Sequence, residues 1–235
     1  MSKTAPEIRS PVPGPRSRDE HVLLLHGLWM RGFSMLALRQ RLLRAGFAVH
    51  GFEYASVVAQ PQRSLARLRS AMRALMKESP APERVHLVGH SLGGIVALQC
   101  VEDADDLPPG RIVCLGTPLT GSAAARGLLQ WPIGAHMLGY STQALLEGVG
   151  EWNGMREVGV IAGCLPHGLG AHLAHFDGAH DGTVAIAETR LPGIADHCVV
   201  QASHTGLLLS ASAARQTVAF LRNGRFERQA GRRDP

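Results

Sequence analysis

Three side chains in this sequence have the types and the order that nucleophilic acyl chemistry requires: Ser91, then Asp181, then His204. Ser91 sits in Gly89-His90-Ser91-Leu92-Gly93-Gly94, directly after the apolar run Val85–Val88. A G-x-S-x-G between a strand and a helix is a nucleophile elbow, so tight a turn that the residues two before and two after the serine must lack bulk. The serine then stands clear of the backbone over a helix N-terminus, which favours developing negative charge. Its hydroxyl needs a base to take the proton, and the base needs a carboxylate to fix its tautomer and steady the imidazolium. Alone the pattern is unspecific: chance alone places it in roughly one chain in five or six of this Gly and Ser content.

Context adds the weight. His204 closes the run Cys198–Ser203 and precedes Thr205-Gly206 and a helical pattern. It therefore falls at the C-terminal edge of the sheet, where open α/β sheets place their sites. His197 starts the same run and belongs to the opposite edge, as does Asp196. Asp181 lies in His180-Asp181-Gly182-Thr183-Val184, on the loop after a run ending near Gly163; Asp177, in Asp177-Gly178, is its rival there. Both Asp-Gly pairs are also ordinary turn dipeptides. An oxyanion hole needs two backbone N–H groups aimed at the developing charge. Leu92, after the serine, offers one, and Leu28, in His26-Gly27-Leu28-Trp29 after the run His21–Leu25, offers the other. His26 is read as ordering this loop, and Trp29 as a contact to substrate.

These residues must be positioned by a sheet. Strand-like runs are His21–Leu25, Phe47–Tyr54, Val85–Gly89, Ile112–Gly116, Glu157–Gly163 and Cys198–Ser203. Most are continuously apolar, as strands covered on both faces should be. Helical stretches fall at about Ser34–Ala45, Gln62–Lys77, Leu92–Asp103 and Gly206–Arg222, the second with a stripe of Leu65, Leu68, Met72, Leu75 and Met76. Alternation of this kind predicts a parallel sheet wrapped by helices through right-handed crossovers. Residues 120–156 are too long for a simple connection and are expected to hold inserted helices. Residues 1–19, with Pro6, Pro11, Pro13 and Pro15, are expected to be a disordered lead-in, 20–222 the folded domain and 223–235 a polar tail.

Composition narrows the function class. The chain has 235 residues, 45% of them apolar and 18% charged, enough for one large core. Its net charge of +5 is concentrated at the two ends, so the body is near neutral, which argues against a nucleic-acid surface. Arg63, Arg67, Arg69, Arg73 and Lys77 on the second helix are read as a solvated face. Cys100, Cys114, Cys164 and Cys198 have neither C-x-x-C nor zinc spacing and read as buried thiols. With no apolar signal region and no run of membrane-spanning length, the expectation is a cytoplasmic protein.

Taken together, His26-Gly27-Leu28, the Gly89–Gly94 elbow, Leu115-Gly116-Thr117-Pro118, Asp181-Gly182 and His204 resemble the α/β-hydrolase superfamily, and within it the compact lipase- and esterase-type members. The matching pieces span residues 21–222. The resemblance implies about six mostly parallel strands flanked by helices, with a short helical cap insertion near 120–156. One departure stands out: lipases of this type often follow Gly-Thr-Pro with His, where this chain has Leu119.

The expected activity is hydrolysis of carboxylic esters, on a small-molecule or lipid-like substrate, by Ser91, His204 and Asp181 with the Leu28 and Leu92 N–H groups. No cofactor is needed for any of these steps. An acyltransferase on the same triad and a non-catalytic binding module on the same fold are the alternatives. His167, His172, His175, Asp177 and His180 crowd one loop, but in no metal-ligand spacing, so no metal is expected. In the insertion, Leu128, Leu129, Trp131, Ile133, Met137, Leu138, Leu145 and Leu146 could pack, cap the site or face a partner. Leu119 is expected to line the floor of an acyl groove and Trp131 to close over it, with esters of about four to ten carbons preferred.

Overall fold

The computed structural model describes residues 19–228 apart from 103, 105, 169–172 and 174. Residues 1–18 of the expected lead-in over 1–19, and all of the tail beyond residue 228, lie outside the described residues.

The strands are β1 (Glu20–Leu25), β2 (Ala48–Phe52), β3 (Arg84–His90), β4 (Ile112–Leu115), β5 (Val158–Gly163) and β6 (Asp196–Val200). They form one sheet in the order β2-β1-β3-β4-β5-β6, and every neighbouring pair is parallel. Helices α1 (Leu36–Arg44), α2 (Pro61–Leu75), α3 (Leu92–Val101), α7 (Gly206–Leu209) and α8 (Ala211–Asn223) cover it. Between β4 and β5 lie three short helices, α4 (Ala123–Leu128), α5 (Gly134–Leu138) and α6 (Thr142–Glu147).

The continuously apolar strands are explained by two cores, one on each face. Leu23, Leu25, Leu87, Ile112 and Cys114 point to one side with Leu68, Met72 and Ile95 of α2 and α3. Val22, Leu24, Val88, Val113 and Leu115 alternate to the other, with Leu38, Leu42 and Phe220 of α1 and α8. Because side chains alternate across a strand, only a sheet buried on both faces hides every position of such runs. Each buried Leu or Phe contributes on the order of 1.5–3 kcal/mol through area removed from water.

Three expectations are corrected. Met76 is exposed, since α2 ends at Leu75 and Met76 is its C-cap. The single helix expected over Gly206–Arg222 is two, because Ser210 adopts an extended backbone and its hydroxyl caps α8 by accepting from Ala213 N–H. Residues 224–228 are not a polar tail: the chain reverses at Gly224, Phe226 is buried against Phe220, and its N–H donates to Asp196.

Candidate active site

The elbow is built by close approach. Ser91 has φ +54°, between β3 and the first turn of α3. A Cβ on Gly89 would collide with the backbone of Gly93 and Gly94, and one on Gly93 with the carbonyls of Leu25 and His26. The strand, the helix and the end of β1 can therefore meet around the serine only with glycine at both positions. Among the described residues, the non-glycine positions with positive φ are Ser91 and Trp29. Such conformations persist where surrounding structure overdetermines them, commonly at functional sites.

Trp29 belongs to the loop after β1, which lies directly against the elbow: a Cβ on Gly27 would come within 3.1 Å of Ser91 Cβ. The loop is fixed from several sides. Met30 N–H donates to Gly27 O, Trp29 N–H to Ser56 Oγ, and the Trp29 indole N–H to Met137 O in α5 at 2.8 Å. His26 is fully buried; its Nδ1 donates to Gly27 O at 2.9 Å and its ring stacks on Tyr54, whose hydroxyl donates to His26 O. Burial pushes the Tyr54 phenol up, so it stays protonated and a donor. Leu28 therefore sits on a rigid loop beside Ser91, and Leu92 begins α3, where the first N–H groups have no acceptor within the helix.

Asp181 and His204 meet. His204 Nδ1 lies 2.8 Å from Asp181 Oδ2, and both residues are buried. The other carboxylate oxygen, Oδ1, accepts from Thr183 N–H at 2.9 Å and Val184 N–H at 2.7 Å, so the turn orients the acid. His204 N–H donates to the backbone carbonyl of Asp181 at 2.8 Å. With Nδ1–H given to the carboxylate, a neutral imidazole keeps a lone pair on Nε2. Gly116, just past β4, leaves room for the pair: a Cβ there would stand 3.0 Å from Asp181 Oδ2 and 3.1 Å from His204 Nδ1. Asp177, the rival acid, is exposed at the surface, 3.9 Å from His175.

His90, beside the serine, has no role legible in the sequence. It is fully buried, and its Nε2 is 2.9 Å from the carbonyl oxygen of His204. A carbonyl only accepts, so Nε2 carries the proton. Burial, aided by the neighbouring His204, pushes the His90 pKa down to about 3 and keeps it neutral.

Ser91 and His204 open onto one cavity of about 440 Å³. Its walls are mainly apolar: Ala124, Ala125, Leu128, Leu138 and Leu145 come from the insertion, with Leu28, Leu173 and Val184 opposite. Trp29 is at this cavity, about half exposed. Leu119 and Trp131 are not. Leu119 is fully buried in the core beneath, and its carbonyl accepts from Val149 N–H. Trp131 lies beyond the end of α4 with its side chain half exposed, because it is Leu128 that α4 turns inward. Leu129, Met137 and Leu146 pack against the core, and Ile133 is exposed.

Of the histidine-rich loop, His172 lies outside the described residues. His167 lines the cavity, His180 stacks on Phe176, and His175 is exposed. Among the described residues no three His, Cys, Asp or Glu side chains gather as a metal site would require.

The sequence matches the alpha/beta hydrolase family over residues 22–215. The chain belongs to that family. Among solved structures of similar fold, the mature lipase BlEst2 of Bacillus licheniformis superposes with a TM-score of 0.71 at 19% identity, covering 91% of this chain and 95% of that one. Phospholipase PlaB of Legionella pneumophila gives 0.65 at 14% identity, covering 86% of this chain and 56% of that one. The metagenomic carboxyl esterase MGS0156 gives 0.57 at 19%, covering 87% and 70%. No curated protein matches the sequence significantly. In this member Ser91 follows β3 directly, and Asp181 and His204 lie on the loops after β5 and β6, at the C-terminal ends of the parallel strands. No helix among the described residues is long and apolar enough to cross a membrane.

Proposed function

We propose that this member of the alpha/beta hydrolase family is a serine hydrolase of carboxylic esters working through an acyl-enzyme. The observation that carries the reading is the Asp181–His204 hydrogen bond of 2.8 Å on the wall of the apolar cavity into which the elbow lifts Ser91. Ser91 Oγ attacks the ester carbonyl while His204 Nε2 takes its proton; Asp181 holds the imidazole and steadies its positive charge. The tetrahedral oxyanion is held by the N–H groups of Leu28 and Leu92. His204 then protonates the leaving alkoxide, and water, deprotonated by the same imidazole, releases the acid and frees Ser91. No step requires a cofactor or a metal.

The cavity supplies the substrate preference. Its apolar walls favour an acyl chain, since each CH₂ removed from water is worth about 0.8 kcal/mol. The lipase, phospholipase and carboxyl esterase of similar fold act in the same chemical class by their names. We place the protein in the cytoplasm.

The test is covalent. A fluorophosphonate probe should label Ser91, and Ser91→Ala should lose both labelling and hydrolysis of p-nitrophenyl esters while keeping the wild-type melting profile. A folded wild type that is neither labelled nor hydrolytic would favour the binding-module alternative. Labelling with acyl transfer to an added alcohol exceeding hydrolysis would favour the acyltransferase.

A further inference from the structure

One buried carboxylate is used by none of the steps above. Glu188 lies in the short helical turn Ala187–Thr189, seven residues after Asp181, and is nine-tenths buried. Its two oxygens point in different directions. Oε2 accepts from Ala185 N–H at 2.8 Å, at the base of the turn that carries Asp181. Oε1 accepts from Ala123 N–H at 2.5 Å, the first residue of α4. The backbone joins in, since Glu188 O accepts from Thr120 N–H at 3.1 Å and Thr120 Oγ1 at 3.3 Å.

These bonds connect two parts of the site that are distant in sequence. On one side, Ala185 pairs with His180 and Val184 N–H holds Asp181 Oδ1, so a shift of Ala185 is passed directly to the acid. On the other, α4 presents Ala124, Ala125 and Leu128 to the cavity. A residue whose only task was to end a turn would need one acceptor there. Glu188 has two, and each satisfies a different element.

We infer that Glu188 is a positioning residue, a carboxylate clamp that fixes the Asp181 turn and the acyl-binding wall of α4 in one geometry. The inference rests on reading Ser91, His204 and Asp181 as the triad. The clamp also carries charge. Burial pushes the Glu188 carboxyl up from its ordinary value, the N–H groups of Ala185 and Ala123 and the Arg126 cation pull it back, and Asp181 is the other charged group facing it. Arg126 Nη2 is 3.7 Å from Oε1 and half exposed. When ionised, Glu188 adds negative potential at the Asp181–His204 pair and so favours the imidazolium.

The experiment compares E188Q, E188D and R126A on p-nitrophenyl acetate and octanoate across pH, after wild type has been shown to hydrolyse both and to label at Ser91. Glutamine is isosteric but offers one acceptor, and its NH₂ opposes the second N–H. E188Q should lower kcat on both esters roughly tenfold, raise the octanoate KM more than the acetate KM, and move the acidic limb of kcat/KM to lower pH by a few tenths of a unit. E188D keeps the charge but is a methylene too short to reach both N–H groups; its acidic limb should return toward wild type while the octanoate KM stays raised. R126A removes the counter-charge from an exposed position and should move the limb the other way. A stable E188Q with wild-type kcat and an unmoved limb overturns the clamp. So does a variant whose only change is a lower melting temperature. A wild type that fails to label overturns instead the triad reading on which the clamp depends.

Discussion

His90 holds His204 from behind: its Nε2–H donates to the His204 carbonyl at 2.9 Å, and the two rings lie 4.7 Å apart. His90, the residue before Ser91, thus fixes the backbone of His204, 114 positions later in the chain. Removing the donor strands a buried carbonyl, which costs about 1–3 kcal/mol. His90→Leu should lower both the melting temperature and kcat, whereas His90→Gln, whose amide NH₂ can replace Nε2–H, should recover most of each. Thermal melts and p-nitrophenyl acetate kinetics check this. Equal loss in both variants would mean that the ring, not its hydrogen bond, matters.

The same residue sets part of the acid stability. In the unfolded chain a histidine takes up a proton near pH 6.5, whereas His90 in the fold resists it down to about 3. Between those values the unfolded state binds more protons, so stability rises with pH and is lost as pH falls from about 6.5. The loss is of the order of a few kcal/mol by pH 4. Glu20, held below the usual carboxylate range chiefly by the His86 ring 3.7 Å away, with Arg84 beside it, adds a loss in the same direction at lower pH. Melting temperatures from pH 8 to pH 4 should fall, and the slope between pH 6.5 and 4 should be shallower in His90→Gln.

The acid assignment makes a sharper demand. Asp181→Asn replaces the acceptor of the His204 Nδ1–H with an amide that permits the wrong tautomer, and should cut kcat by roughly 10³–10⁴. Asp177→Asn, altering an exposed side chain, should change it less than about twofold. A reversal of the two effects in steady-state assays would transfer the role to Asp177.

Gly116 offers a probe of the same pair by geometry alone. Its φ of +54° and the 3.0 Å and 3.1 Å approaches to Asp181 Oδ2 and His204 Nδ1 leave no place for a methyl group. Gly116→Ala should therefore part the two side chains and lower kcat at least tenfold, with KM for short esters little changed. Fluorophosphonate labelling rates, which need the activated serine, should fall in proportion.

The sheet was legible because both of its faces are covered: runs such as Val22–Leu25 and Ile112–Leu115 have no polar position to interrupt them. Glycines around Ser91 announced the elbow for the same reason, since backbone contact permits nothing larger. The convergence of Asp181 and His204 could be anticipated from chain order, because parallel strands deliver their following loops to one edge. Side-chain direction beyond the strand ends was not legible. Leu119 follows β4 at the right edge, yet its side chain turns under into the core. Apolar character alone could not say whether α4 would aim Leu128 or Trp131 at the cavity. Glu188 gave a weak signal, a lone acid among Val184, Ala185, Ile186 and Ala187, but its partner Ala123 is 65 positions away.

That placement reassigns the test of acyl-chain length. Trp131 is half exposed and away from the cavity, so Trp131→Ala should leave the ratio of octanoate to acetate hydrolysis unchanged. The cavity wall supplied by α4 is Ala124, Ala125 and Leu128. Truncating Leu128 would also damage the core, since it is only 3% exposed. Enlarging Ala124 into the open cavity avoids that confusion. Ala124→Leu adds three carbons to the lining and displaces a comparable stretch of acyl chain. At about 0.8 kcal/mol for each CH₂ no longer buried, kcat/KM should drop about fourfold per displaced carbon for octanoate and decanoate esters. Acetate, which does not reach the wall, should be hydrolysed at close to the wild-type rate. The wild-type profile should rise from four carbons and flatten by about ten, as the cavity fills. A profile shifted by Trp131→Ala but not by Ala124→Leu would place the acyl chain on the outer face of the insertion instead.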